Sequence, residues 1–408
     1  MTPSRPAPEA AITVSLILAL AVQSAVPPFA TDMYSPAFPQ VANELGASAA
    51  AVGFTLTAFF IGMGVGQVLG GTASDQWGRR LPMITGGLVC TIGSIICALA
   101  PGISLLIAGR LLQGLGGGVA SVVGRAVLVD VAHGDRLARI MSVLMAVVGL
   151  APMIAPVAGG AVLSVADWRA IFWSLAGFGV FMMAMAALLI PETLPPDERA
   201  SGGLRRFATG FAELVAHRRF MGYLLTSSCS GFAMFAYVSA SSFVLQEMKG
   251  LTPMQYSVFF ACTAGSNMLM AILNSRLVGR YRPRRLIAVG LSMSALGITV
   301  VTVSVLALGV ALIPLCLGFV VTMAAQGFVF GNASALALGE VRHVAGAASA
   351  MLGVAQAIAM GISAPLASSG GGDSAIPMVV VMLMGITGAW CAYTLAGRAG
   401  HSRRLPAA

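Results

Sequence analysis

Charge is scarce in this chain. Only 9% of its 408 residues are Asp, Glu, Lys or Arg, and the 23 basic residues include a single lysine, Lys249. A soluble globular domain carries about 25% charged residues, so an ordinary water-facing surface cannot be built from this composition. Histidine is rarer still: His133, His217, His343 and His401 lie far apart and show no HExxH spacing. That removes a common zinc-hydrolase pattern. No GxxxxGK[ST] phosphate loop occurs either, so the chain has no ATP-binding device of that kind. The six cysteines (Cys90, Cys97, Cys229, Cys262, Cys316, Cys391) are scattered through apolar runs without a CxxC pair. Such residues read as small core side chains, neither metal ligands nor a disulfide framework.

What is present in excess is apolar. Hydrophobic residues make up 58% of the chain, and runs near twenty residues recur from end to end. A bilayer core of about 30 Å needs roughly 20 apolar residues per helix. Spanning backbone must satisfy its own hydrogen bonds, which leaves helices or a closed barrel. Barrel strands alternate in polarity over about ten residues, and these runs do not. The composition therefore predicts an all-α polytopic membrane protein. Twelve helices are predicted, near 11–38, 50–72, 81–100, 103–129, 139–164, 169–190, 220–246, 253–275, 285–309, 311–337, 345–368 and 375–397.

The net charge of +9 does not describe a nucleic-acid footprint, because the arginines sit at helix ends and not along one face. Nineteen of the 23 basic residues fall in the N-terminus, the even-to-odd loops and the C-terminus; only Arg169 and Lys249 fall on the opposite side. The positive-inside rule then puts both termini in the cytoplasm. An outline of a cleavable leader, Arg5 followed by an apolar run to Ala25, is outweighed by the run continuing through Pro27 and Pro28. The polar stretch 191–219 reads as a cytoplasmic linker between two halves, 1–190 and 220–397, with a cytoplasmic tail at 398–408. The halves echo one another: a shift of 205 places Arg79-Arg80-Leu81 on Arg284-Arg285-Leu286. Duplicated six-helix halves with a site between them are a known transporter plan.

One stretch stands out as polar between two apolar runs, Gly71–Arg80, which reads GTASDQWGRR. Gly71, Asp75, Gly78, Arg79 and Arg80 are expected to form a tight turn that latches the two halves at the cytoplasmic face, with Asp130 meeting Arg79. Asp75 is expected to face the amino end of the eleventh helix near Ala345, where the helix dipole favours a carboxylate, so that the turn stabilises an inward-closed, outward-open state. Its second-half echo has Arg280 and Pro283 in place of Asp75 and Gly78, so the latch is one-sided.

The pattern Gly71-x-x-x-Asp75-x-x-Gly78-Arg79-Arg80 resembles the signature loop between helices 2 and 3 of the major facilitator superfamily. Arg110-Leu-Leu-Gln113-Gly114 in the fourth helix and Gly149-Leu-Ala-Pro152-Met-Ile-Ala-Pro156-Val-Ala-Gly159-Gly160 in the fifth resemble signatures of its drug:proton antiporters. Thr31-Asp32-Met33-Tyr34-Ser35-Pro36, Gly346-Ala-Ala-Ser349-Ala-Met-Leu-Gly353 and Phe235-Ala-Tyr237-Val-Ser239 resemble the bicyclomycin/chloramphenicol-resistance (Bcr/CflA) subgroup. The resemblance covers essentially the whole chain. It implies a proton-coupled antiporter of the bacterial cytoplasmic (inner) membrane that exports lipophilic drugs, such as phenicols or bicyclomycin. Export of an endogenous metabolite, an amino acid or a sugar, is the alternative. The partners expected are a small lipophilic drug, protons and the lipid bilayer; no nucleic acid, cofactor or metal is implied, the energy source is the proton gradient, and a monomer is expected.

Within that frame the residues acquire roles. An ionisable group inside a membrane is costly and is a functional candidate by default, which singles out Asp32 as the proton carrier. Arg110 is expected to pair electrostatically with it, with Gln113 as a bridge. Gly149, Pro152, Pro156, Gly159 and Gly160 predict a kinked, close-packed helix whose work is mechanical. Cavity walls are expected from Tyr34, Phe59, Phe60, Phe235, Tyr237, Asn267, Phe330, Asn332 and Gln356, since aromatic walls with a few amides suit bulky, weakly polar ligands.

Overall fold

A computed structural model describes residues 14–132, 134–199, 214–341 and 345–398. About half of the expected linker (200–213) and nearly all of the tail (399–408) lie outside the described residues. The first six long helices are α1 (Val14–Asp32), α2 (Ala49–Trp77), α3 (Arg80–Ala98), α4 (Ile103–Val131), α5 (Gly134–Leu163) and α6 (Trp168–Leu189). The second six are α7 (Arg218–Phe243), α8 (Pro253–Leu277), α9 (Pro283–Leu306), α10 (Leu312–Glu340), α11 (Ala345–Ser368) and α12 (Ile376–Arg398). Eleven helical segments among the described residues are long and apolar enough to cross a membrane by length and composition; within α5, Val148–Leu163 is a shorter apolar helix.

Helix starts follow from local chemistry. The first N–H groups of a helix have no partner within it. Ser48 Oγ accepts from Ala51 N at the start of α2, and Asp167 accepts from Arg169 N and Ala170 N at α6. Thr252 and Gln255 form a reciprocal capping box at α8. The first span departs from its predicted 11–38: α1 ends at Asp32, passes through a 3-10 turn at Ser35–Ala37, and resumes as a short helix, Phe38–Glu44. Pro27, Pro28, Pro36 and Pro39 each remove a backbone donor, which concentrates the irregularity around Asp32.

The second helix runs five residues beyond the expected 72, and this corrects the reading of the Gly71–Arg80 stretch. Gly71–Trp77 is helical, with open space beside Gly71. Only Gly78 turns the chain, at φ +89°, a conformation glycine adopts without steric cost. Close helix contact elsewhere uses small residues: a Cβ on Gly62 or Gly66 of α2 would collide with the backbone of Leu111 or Leu115 in α4.

The two halves meet at the end of the bundle remote from the described chain ends. Gln246 Nε2 donates to Pro36 O at 3.0 Å, Thr57 Oγ1 donates to the Gly361 carbonyl, and the Tyr256 hydroxyl reaches Ser35 Oγ at 3.5 Å. Tyr34, Phe38, Val52, Phe172, Phe243 and Phe260 belong to one buried cluster spanning this seal.

Candidate functional site

Below that seal lies a cavity of about 330 Å³. Its walls come from both halves: Asp32 and Thr31 on α1, Gly149 and Pro152 on α5, Phe235 on α7, and Phe330 on α10. Asp32 is the one ionisable side chain among its lining residues. It is nearly buried, at 8% exposure, and its Oδ1 accepts from Thr31 Oγ1 at 2.9 Å. Thr31 is itself held by the Pro27 carbonyl at 2.9 Å, so the proline-rich end of α1 sets the carboxylate's position. Asn267 supplies the only side-chain amide in the lining, and its Nδ2 is already bound to Met323 O at 3.0 Å.

Of the cavity residues expected from sequence, Phe60, Phe235, Asn267 and Phe330 line it, and five do not. Tyr34 is fully buried behind α1, packed on Phe38 and Phe172. Phe59 lies under the Arg110 guanidinium, 4.6 Å from ring centroid to Cζ. Tyr237 bonds Thr263 and stacks on Phe260 inside the second half. Asn332 donates to Asn274 at 2.7 Å, and Gln356 donates to Ser227 at 3.2 Å. In each case a packing or hydrogen-bond partner within its own half claims the side chain. Phe260, Met234, Val238 and Met323 line the cavity without having been anticipated; apolar residues in apolar helices carry no local signal that separates cavity from core. Gly149 and Pro152 line it as well, so α5 also contributes a wall and is not only mechanical. Farther along α5, Gly159 packs against the Met33 backbone and Gly160 against Ser257 and Met254 of α8.

Arg110 corrects a second expectation. Among the described residues it forms no ion pair, with Asp32 or any other acid. Its Nη1 donates to Ala30 O at 2.8 Å and to Gln113 Oε1 at 2.6 Å. Gln113 Nε2 passes the chain of bonds to Ser94 Oγ on α3 at 2.8 Å, so Gln113 bridges α4 to α3, not Arg110 to Asp32. The guanidinium is fully buried, and its Nε and Nη2 find no hydrogen-bond acceptor. The rings of Phe59, Tyr34 and Phe172 surround it at 4.6, 5.0 and 5.9 Å, supplying cation–π attraction in place of an anion.

The arginine cluster at the opposite end forms a network that ties helices of the first half to one another and to the start of the linker. Arg79 Nε donates to Asp130 Oδ2 at 2.9 Å, and Nη1 donates to Asp75 Oδ1 at 2.6 Å and Ser74 Oγ at 2.9 Å. With its described side-chain partners all in α2 or α4 and 9% of its side chain exposed, Arg79 is not placed to latch the halves together. Asp75 points to Arg79 and otherwise to solvent, with 55% of its side chain exposed; the side chain of Ala345, near which it was expected, lies outside the described residues. The Arg80 guanidinium bonds the Ala187 carbonyl on α6.

Glu192, not anticipated from sequence, completes the network. Its carboxylate accepts from Arg79 N at 2.7 Å, Arg80 N at 3.2 Å and Leu194 N at 3.0 Å. It thereby caps α3 from 112 residues away in sequence. Partial burial opposes its charge, but these N–H groups and the Arg199 guanidinium outweigh it and hold the carboxyl below the usual glutamate range. Thr193 Oγ1 donates to Asp130 Oδ2 at 2.8 Å, so the start of the linker is tied to the same acid that holds Arg79. Arg79 is shifted the other way: burial opposes its charge, and bonds to Asp130 and Asp75 outweigh that and raise its pKa.

Comparison with known proteins places these features. The profile described as Major Facilitator Superfamily matches residues 20–364. The "Uncharacterized MFS-type transporter YdgK" of Bacillus subtilis is 33% identical over 377 residues, covering 91% of this chain and 92% of that protein. The "Bicyclomycin resistance protein homolog" of Haemophilus influenzae is 30% identical over 371 residues, covering 91% and 93%. The "Multidrug resistance protein MdtL" of Salmonella heidelberg is 32% identical over 363 residues, covering 88% and 89%. Among solved structures, the D-xylose-proton symporter superposes with a TM-score of 0.75 at 17% identity, covering 93% of this chain and 97% of that one. That likeness is one of fold.

Proposed function

Because the chain belongs to the major facilitator superfamily, and is thus a transporter and a multi-pass protein of the bacterial inner membrane, we propose that it exports lipophilic drugs in exchange for protons. The observation that carries this reading is Asp32, the one ionisable side chain among the described lining residues of a mainly apolar cavity shared by the two halves. The names of its bicyclomycin- and multidrug-resistance relatives support the drug class.

In the proposed cycle both termini lie in the cytoplasm, so the seal at the remote end makes this the cytoplasm-facing arrangement. A weakly polar drug enters the cavity and is held by Phe60, Phe235, Phe260 and Phe330. Hydrogen-bond donors of the drug that reach Asp32 stabilise the charged carboxylate and so displace its proton. The proton leaves toward the cytoplasm and the halves rock. A proton from the periplasm then reloads Asp32 as the drug departs. Arg110 serves as a fixed positive charge behind α1 and holds Ala30, two residues from Asp32, so that α1 and α4 move together.

The test is reconstitution in proteoliposomes with chloramphenicol and bicyclomycin. An imposed proton gradient should drive drug against its concentration gradient, with proton movement recorded by an internal pH dye. Asp32→Asn should abolish drug-coupled proton flux; coupling that survives this substitution would sink the assignment.

A further inference from the structure

A second cavity, about 450 Å³, opens between α2 and α11. All nine residues that line it are apolar, among them Ile61, Val65 and Leu69 on α2 and Val354 and Ile358 on α11. It lies on the face these helices turn to lipid. The exposed stripe of α2 is Phe54, Ile61, Val65 and Leu69, and that of α11 is Ile358, Ile362 and Leu366, each about half exposed. These spacings place each stripe on one side of its helix, and the groove runs between the two stripes.

Phe60 joins this groove to the central site. It is the one residue that lines both cavities. Its ring stands edge-on to Phe235 at 4.9 Å and to Phe59 at 5.7 Å, and only 5% of the residue is exposed. Toward the remote end, α2 and α11 are pinned by the Thr57–Gly361 bond, one turn from Phe60. Toward the terminal end the groove extends as far as Leu69. The opening therefore lies in the half of the membrane nearer the chain termini, and one aromatic ring closes it.

We propose that this groove is a side entrance through which the uncharged, lipophilic body of a substrate passes from the bilayer leaflet to the Asp32 cavity, with Phe60 as its door. The proposal rests on the reading of that cavity as the substrate site. The groove's chemistry selects its occupant. With no polar side chain among its described lining residues, a charge or an unsatisfied polar group in transit would lose hydration and gain nothing, whereas an apolar molecule already dissolved in the leaflet loses little. A swing of the Phe60 side chain, which costs its contact with Phe235, merges the two spaces.

The experiment separates rate from affinity. Ile61→Trp with Ile358→Trp fills the groove from two lipid-facing positions and leaves the central cavity untouched. With chloramphenicol as the probe, the initial rate of proton-driven transport in proteoliposomes should fall about tenfold, a barrier higher by about 1.4 kcal/mol. Equilibrium binding to the full-length protein in detergent should stay within about twofold, because nothing at the site has changed. Phe60→Ala should speed association and dissociation together. Equal transport rates in the groove-filled and wild-type proteins would overturn the entrance and leave a groove that seats only a lipid chain. Failure of the wild-type protein to bind chloramphenicol, or binding that Asp32→Asn leaves unaltered in its pH dependence, would instead overturn the reading of the central site.

Discussion

The guanidinium of Arg110 holds the backbone carbonyl of Ala30 at 2.8 Å and stops short of Asp32. A buried cation is therefore coupled to the proton-carrying candidate through the helix that bears it, without a direct ion pair. The distinction has consequences. An ion pair would tie the arginine's contribution to the protonation state of Asp32, whereas a bond to a carbonyl persists through both states and fixes where α1 ends.

Arg110→Lys tests that arrangement. A lysine keeps the charge but lacks the planar guanidinium that lies on the aromatic faces while its Nη1 bonds Ala30 and Gln113. Loss of a hydrogen bond to a charged group costs about 1.5–3 kcal/mol. The lysine variant should unfold at lower temperature in detergent by thermal-shift fluorescence, and should lose transport even when Asp32 is intact. Full transport with unchanged stability would show that charge alone matters at this position.

The Arg79 network predicts an unequal pair of substitutions. Asp130 is bonded by Arg79 and Thr193 and is mostly enclosed, whereas the Asp75 side chain is 55% exposed. Removing one partner of a buried pair is strongly destabilising, by about 3–5 kcal/mol at the buried limit, while exposed pairs contribute about 0–1 kcal/mol. Asp130→Asn should therefore lower the unfolding midpoint markedly and Asp75→Asn hardly at all. Asp75→Asn should slow transport while drug affinity stays within about twofold, as expected for a site with no shared partner. Equal midpoints for the two variants would mean that Asp130 is not the main anchor of Arg79.

Much of this architecture was legible in the sequence, and the parts that were not share a cause. Apolar runs and arginine placement announce the helices, because each is a local signal. Asp32 was legible as an acid within a span, and Asp130 as a partner for Arg79. The extent of α2 through Trp77 was not, because polar residues from Thr72 to Gln76 look like a loop until Arg79 is seen to pair with Asp75 one turn back. Which aromatic rings face the cavity was equally hidden. Phe59 and Phe60 are adjacent, yet one lies beneath Arg110 and the other lines both cavities; that choice is made by helix rotation against neighbours. Glu192 could have been found as an acid just past the end of α6, on the same side as the Gly78-Arg79-Arg80 turn.

Glu192 also predicts a pH dependence. Its native pKa lies below the ordinary value of 4.5, so the folded state binds its proton less readily than the unfolded chain. The stabilisation is then complete above the ordinary glutamate value, and is lost as pH falls through the depressed native one. Thermal unfolding of wild type and Glu192→Gln across this range should show the largest gap near neutrality, closing on acidification. A gap that grows toward acid would reverse the sign and exclude the carboxylate cap as the source.

The remote seal is the last point at which a small change has a defined direction. Gly53 of α2 lies against α11, where a Cβ would come within 2.7 Å of Pro365 Cα and 2.9 Å of the Ala364 carbonyl oxygen. Both are backbone atoms and cannot swing aside as a side chain tip would. Gly53→Ala therefore wedges the halves apart at the end remote from the termini. It also strains the Thr57–Gly361 bond one turn further along α2. Because the wedge acts only in the arrangement closed at this end, it should shift the population toward the arrangement open there, with local packing in each half retained. Paired spin labels on the remote ends of α2 and α11 should report a longer mean distance in the variant, and transport should slow at the step that closes this end. An unchanged distance distribution would mean that the seal yields elsewhere, and that this contact does not set the balance between the two states.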